Sequence, residues 1–233
     1  MKIAKYLKLL FASQLIIITA LCEAQVPSYV PKSGLVGWWP FSGNAGDSSG
    51  NGNHGTVISA TITTDRFSKS NSAYYVDGVN CSSPKGISLP CNILNSKSYT
   101  ISMWYLTTDS SKQIQTLFNS SPHQYVGVTY NYLGRGNYTQ GHVGNGTWQN
   151  AGPSGSIYWR RYNLNNWHHF AIVKTLSEIL FYEDGIFKFS YSISSTFNAG
   201  SFSSIVAGAS SINGGVNCYE TFKGNVDDFG VWS

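Results

Sequence analysis

After residue 24 this chain contains no window in which apolar residues recur with the 3.6-residue period of a helix. Short runs rich in Val, Ile, Tyr, Phe, Trp and Thr recur instead, alternating apolar with polar and bounded by Gly, Asn and Ser. Each run can bury one face only, so the runs must pair into sheets and the sheets must stack. They fall at residues 34–41, 73–76, 86–89, 99–107, 115–119, 125–130, 155–161, 168–174, 179–183, 186–193, 204–209 and 224–232. Glu183-Asp-Gly185 joins two of them, and Asp-Gly suits the positive backbone angles of a tight type I′ turn. The pattern predicts an all-β fold of two antiparallel sheets.

Residues 1–24 stand apart. Lys2, Lys5 and Lys8 precede a mostly apolar stretch, and Ala24 is a small residue suited to cleavage. The stretch is shorter than the roughly 20 residues a membrane span needs. A signal peptide is therefore expected at 1–24, with residues 25–233 as one secreted or cell-surface domain and no transmembrane segment in the mature chain. Twelve Lys and Arg against ten Asp and Glu remain after residue 24. Charged residues are 11% of the chain and aromatics 15%. A nucleic-acid partner needs clustered cations, and only Arg160-Arg161 are adjacent. A neutral ligand suits this surface better than a polyanion.

The first strand leads into a loop with Gly43, Gly46, Gly50, Gly52 and Gly55 interleaved with Asn44, Asn51 and Asn53. Leu35, Gly37, Trp39 and Phe41 share one face of the strand, with Val36 and Trp38 on the other. Pro40 limits further pairing. The loop can turn tightly and aim carbonyls inward. Asp47 and Asn51 are hard oxygen donors of the kind calcium prefers.

Five stretches carry a family resemblance. They are the strand and loop just described, Ala73-Tyr-Tyr-Val-Asp-Gly78, Asn166-Trp-His-His-Phe-Ala-Ile-Val173, Leu180-Phe-Tyr-Glu-Asp-Gly185 and Phe222-Lys-Gly-Asn-Val-Asp-Asp-Phe-Gly-Val-Trp232. In this order they resemble the laminin-G-like domains of secreted bacterial proteins, in the concanavalin A-like lectin/glucanase superfamily. The resemblance implies a jelly-roll sandwich. It also implies that the first loop lies beside the closing strand, with one of Asp227 and Asp228 facing it. Asp47, Asn51, Asp227 and Asp228 then form a candidate structural calcium site. The alternative is that Asp47 caps a turn and the aspartate pair accepts hydrogen bonds from loop amides. An acidic pair at such a loop otherwise needs another cation.

Catalysis finds little support. The mature chain has three glutamates, Glu178, Glu183 and Glu220, and none has the Glu-x-Asp-x-Glu spacing of laminarinase-type glycosidases. His168 and His169 are adjacent on a strand, so they point to opposite faces and cannot converge on one ion. Trp39, Trp104, Trp167 and Trp232 lie in the family-like strands and are expected in the core. The middle segment departs from the family pattern. Tyr138, Trp148, Trp159 and Tyr162 stand there among Gly, Asn and Arg, and flat rings beside polar donors suit a sugar. These four are the candidate ligand-binding residues, with Tyr138 and Trp148 expected on exposed loops. The sequence thus points to a non-catalytic module recognising glycan. A protein-interaction or adhesion domain and a divergent glycoside hydrolase are the alternatives.

Export makes a disulfide possible among Cys81, Cys91 and Cys218. Cys81 and Cys91 are the pair nearest in sequence, and Cys218 is the alternative partner of either. Non-reducing peptide mapping of exported protein should recover a Cys81–Cys91 peptide. A bridge to Cys218 would correct the pairing, and three free thiols would reject it.

Overall fold

The computed structural model describes residues 25–78, 85–109, 115–121, 126–130, 138–143, 158–160, 164–193, 204–207 and 222–233. The strands in chain order are β1 (Leu35–Trp39), β2 (Thr56–Ile58), β3 (Thr61–Thr63), β4 (Ala73–Asp77), β5 (Gly86–Leu89), β6 (Tyr99–Thr107), β7 (Gln115–Ser121), β8 (Val126–Tyr130), β9 (Tyr138–Val143), β10 (Tyr158–Arg160), β11 (Trp167–Lys174), β12 (Glu178–Glu183), β13 (Ile186–Ser192), β14 (Ser204–Ala207) and β15 (Lys223–Trp232). They form two antiparallel sheets. One runs β13-β12-β11-β6-β15-β4-β3, with β1 also paired to β15. The other runs β10-β9-β8-β7-β14-β5-β2.

Each of the twelve expected strands is present, with shifted ends. Asp184 and Gly185 both have positive φ, +52° and +74°, as a type I′ turn requires. Strands β2 and β3 were not anticipated, because three residues are too few to show a period. Nor was β9, in which Gly141 interrupts the run. A short 3₁₀ helix, Cys91–Leu94, buries Ile93 and Leu94. Cys91 is exposed, with no disulfide partner among the described residues. Cys81 and Cys218 lie outside them, as do residues 1–24.

The core fills the space between the sheets. Strand β6 shows the alternation plainly: Tyr99, Ile101, Met103, Tyr105 and Thr107 are buried, and the residues between them are half-buried on the outer face. Phe118 of β7 reaches across the sandwich to Phe229 and Phe170, with centroids at 5.4 and 6.5 Å. Trp39 meets Phe229 edge-on at 5.7 Å. Of the four tryptophans expected in the core, only Trp39 is fully buried there. Trp104 and Trp167 lie half-buried on β6 and β11, and Trp232 is half-buried at the end of β15. The alternation explains Trp104, since it falls out of step with Met103 and Tyr105.

Strand β15 organises its sheet. Strand β6 pairs along one of its sides. On the other side β4 pairs from Lys223 to Val226, and β1 pairs from Phe229 to Trp232. Between these partners the ladder with β6 is bulged from Asp227 to Gly230, and Asp228 adopts φ +46°. Strict two-residue alternation would put Val226 on one face with Asp228 and Gly230. The bulge breaks that phase, so Val226, Phe229 and Val231 are the fully buried side chains. Gly224 is required for close approach, because a Cβ there would stand 1.9 Å from the Leu106 carbonyl oxygen. Backbone cannot yield as a flexible side chain can. Gly224→Ala should therefore cost about 1–3 kcal/mol or more in denaturant unfolding; an unchanged midpoint would contradict the close approach.

Candidate functional site

A pocket of about 460 Å³ opens on the outer face of the sheet containing β6, lined by Tyr29, Arg66, Phe67, Trp104 and Trp167. Small-ligand pockets span about 300–1,000 Å³. Four chain segments build it. Trp104 and Trp167 stand on adjacent strands, where His169 is the register partner of Trp104. Tyr29 comes from the segment before β1. Arg66 and Phe67 come from the turn after β3, which Asp65 fixes: its Oδ1 accepts the backbone N–H groups of Phe67 and Lys69, each at 2.8 Å. Phe67 and Tyr29 are 70% and 62% exposed, so the rim is aromatic and open to solvent.

Arg66 is the centre of the site. Its Nη1 lies 2.6 Å from Asp227 Oδ2 and its Nη2 lies 2.6 Å from Asp228 Oδ2. The guanidinium carbon stands 4.3 Å from the Phe67 ring centroid and 4.8 Å from that of Trp104. The Tyr29 hydroxyl accepts from Nη2 at 3.4 Å and donates to Asp228 Oδ2 at 3.2 Å. The Asp227 side chain is only 2% exposed. Burial and the neighbouring Asp228 carboxylate push its pKa up to about 8, against the pull of Arg66. Burial also raises Asp228, again opposed by Arg66. The pair therefore resists carrying two full negative charges around neutral pH, and Arg66 is the cation that faces it.

The candidate calcium ligands do not assemble. Asp47 Oδ1 accepts the backbone N–H groups of Trp38 and Ser49, and Oδ2 accepts that of Asn53. Asn51 turns its Nδ2 toward the carbonyls of Leu35 and Val36. Both residues thus tie the loop to β1, and Asp47 is a cap. Asp227 and Asp228 are held by Arg66, which is the other cation the acidic pair needed. Among the described residues no three His, Cys, Asp or Glu side chains group as metal ligands. The donor set does not fit calcium.

The middle-segment residues also part company. Trp148 and Tyr162 lie outside the described residues. Tyr138 opens β9 rather than sitting on a loop, opposite Arg160, while Trp159 pairs with Thr139. The histidines behave as expected. His168 packs 5.9 Å from buried Tyr105 and bonds Asp184 through Nδ1 at 2.8 Å. His169 lies on the other face, 5.1 Å from Trp104, with Nε2 at 2.7 Å from Ser102 Oγ. Burial lowers the His169 pKa, which keeps the ring neutral. Asp184 contacts His169 through the backbone N–H, so its carboxylate does not orient that imidazole as a catalytic triad would. Glu183 is buried and accepts the Tyr105 hydroxyl.

A raised carboxyl pKa links the site to stability. Asp227 in the folded chain keeps its proton up to about pH 8, whereas the unfolded side chain releases it near 3.8. Between those values the folded state binds more protons, so stability falls as pH rises and is lowest above pH 8. Burial lowers His169, so its titration falls below this range, and Asp228, raised with Asp227, adds to the slope in the same direction. The thermal midpoint should drop from pH 7 to pH 9, and Asp227→Asn should flatten that slope. Parallel slopes for both proteins would contradict the assignment.

Comparison with known proteins places this geometry. No curated protein matches the sequence. Many solved structures share the fold, among them the following three. Domain 4 of AbnA, a GH43 extracellular arabinanase from Geobacillus stearothermophilus solved with arabinotriose, is 19% identical, with a TM-score of 0.59 over 87% of this chain and 94% of that one. The binding domain of botulinum neurotoxin DC in complex with SialylT is 11% identical, with a TM-score of 0.61 over 86% and 48%. The sialidase of Trypanosoma rangeli, in complex with sialic acid, is 16% identical, with a TM-score of 0.64 over 91% and 33%. This chain thus spans about half or less of the last two. A laminin G-type family model matches residues 82–233, more than half the chain, and with the two-sheet sandwich on the page the chain belongs to the concanavalin A-like lectin/glucanases superfamily.

Proposed function

We propose that this chain is an exported, non-catalytic module that binds glycan, seating a sugar ring between the aromatic walls of the Trp104–Trp167 pocket. The observation that carries this reading is the lining. Four of its five residues are aromatic, and the fifth is a guanidinium whose charge is balanced from below. Aromatic faces receive the C–H face of a sugar, and a few polar atoms orient its hydroxyls. The carboxyl groups of Asp227 and Asp228 sit beneath Arg66 and are not among the lining groups, so they are poorly placed to act as a glycosidase pair. Similarity to an arabinanase domain solved with arabinotriose and to a toxin binding domain solved with SialylT agrees with glycan recognition. A related toxin domain is solved with rat synaptotagmin II, which keeps a protein ligand as an outcome of the test. No helix among the described residues is long and apolar enough to cross a membrane.

The test is a glycan array on purified residues 25–233, followed by calorimetry on the strongest ligand. Phe67→Ala removes an exposed ring that the core does not use. At about 1 kcal/mol for one aromatic contact, affinity should fall roughly fivefold while the melting midpoint stays put. Trp148→Ala probes the middle segment separately. Binding that survives Phe67→Ala but not Trp148→Ala would move the site, and glycosidic cleavage lost in Asp227→Asn would make the chain an enzyme.

A further inference from the structure

We propose that the pocket selects uncharged sugars and rejects carboxylate-bearing ones such as sialic or uronic acids, with Asp227 and Asp228 setting this preference through Arg66. The inference rests on the pocket being the glycan site and specifies the ligand class it takes. Proteins that read an acidic sugar offer its carboxylate a cation with donors to spare, most often an arginine making paired hydrogen bonds. Among the described residues Arg66 is the one cation lining this pocket. Its guanidinium already holds Asp227 and Asp228 at 2.6 Å each, reaches the Tyr29 hydroxyl, and lies against the rings of Phe67 and Trp104.

Charge counting under the pocket leads to the same class. One guanidinium faces two carboxyl groups. With a proton on the pair the cluster is neutral, and without it the cluster carries one negative charge. Neither state is positive. Asp65, on the same turn, adds negative potential that Asp227 feels. On the strands of this sheet Lys223 is engaged with Asp109 and Lys174 with the Lys97 carbonyl, and among the described residues no lysine lines the pocket. A carboxylate entering between the rings would lose its hydration and find no unpaired cation in return, which is strongly unfavourable. A neutral ring loses only hydroxyl hydration, which the Tyr29 hydroxyl at the rim can replace.

The experiment compares matched pairs by calorimetry: lactose with sialyllactose, and methyl-esterified with free oligogalacturonate. Wild type should bind the neutral member about tenfold or more tightly than its acidic counterpart. Asp228→Asn keeps the side-chain shape, and Asn tolerates the positive φ at that position. Combined with Asp227→Asn, it leaves Arg66 with unbalanced charge, so the neutral-to-acidic ratio should shrink or invert. If that variant does not fold, salt dependence in wild type decides. Binding of the preferred ligand should not change between low and high salt, whereas a carboxylate held by Arg66 would weaken as salt rises. Equal or tighter binding of the acidic members overturns the selectivity and leaves glycan recognition standing. A wild type that binds neither member of either pair, or binding insensitive to Phe67→Ala, rejects the pocket itself.

Discussion

One interruption of a β-ladder sets the geometry of the eight-stranded sheet and of the pocket on it. Strand β15 must serve β6 along one side and both β4 and β1 along the other. At the junction a regular strand would send Asp228 toward the core and Phe229 away from it. A buried, unpaired carboxylate costs several kcal/mol, and loss of an aromatic core residue costs about 3–5 kcal/mol. The bulge reverses both assignments. Phe229 then links Trp39 of its own sheet to Phe118 of the facing one. The two aspartates emerge together on the outer face, where Arg66 bridges them. A chain with so few charges has placed three ionisable groups within one cluster.

That cluster also explains why the pocket keeps an apolar character despite an arginine at its base. The guanidinium is shielded by carboxyl groups below and by Trp104 and Phe67 on its faces. What reaches the pocket is flat, weakly hydrated and electrically balanced. Asp65 holds the turn that delivers both Arg66 and Phe67.

The fold was legible because two-residue alternation is strong wherever one face of a sheet is buried, as in β6 and β11. Strand ends, β2, β3 and β9 were obscured by shortness or by glycine. The site was less legible, for a related reason. Trp104 and Trp167 sit in family-like strands, and a large ring in such a strand reads as core unless its phase is checked against Ile101, Met103 and Tyr105. That check was available in the sequence. The meeting of Arg66 with Asp227 and Asp228 was not, since it joins positions far apart in the chain through a bulge that alternation does not predict. Asp47 could be read equally as a ligand or as a cap, and only the positions of the Trp38, Ser49 and Asn53 amides decide between them.

Strand β1 and the end of β15 form an antiparallel pair, with Leu35 beside Trp232 and the Ser233 amide bonded to the Gly34 carbonyl. The Trp232 indole also holds the Pro31 carbonyl at 2.7 Å. Tension applied through residues 25 and 233 would act on the same end of this pair. Such loading opens hydrogen bonds one after another, like a zip, rather than shearing them all at once. Tyr29 lies on the segment that would lift first. Pulling on this domain would therefore dismantle the wall of its pocket before it disturbed the core.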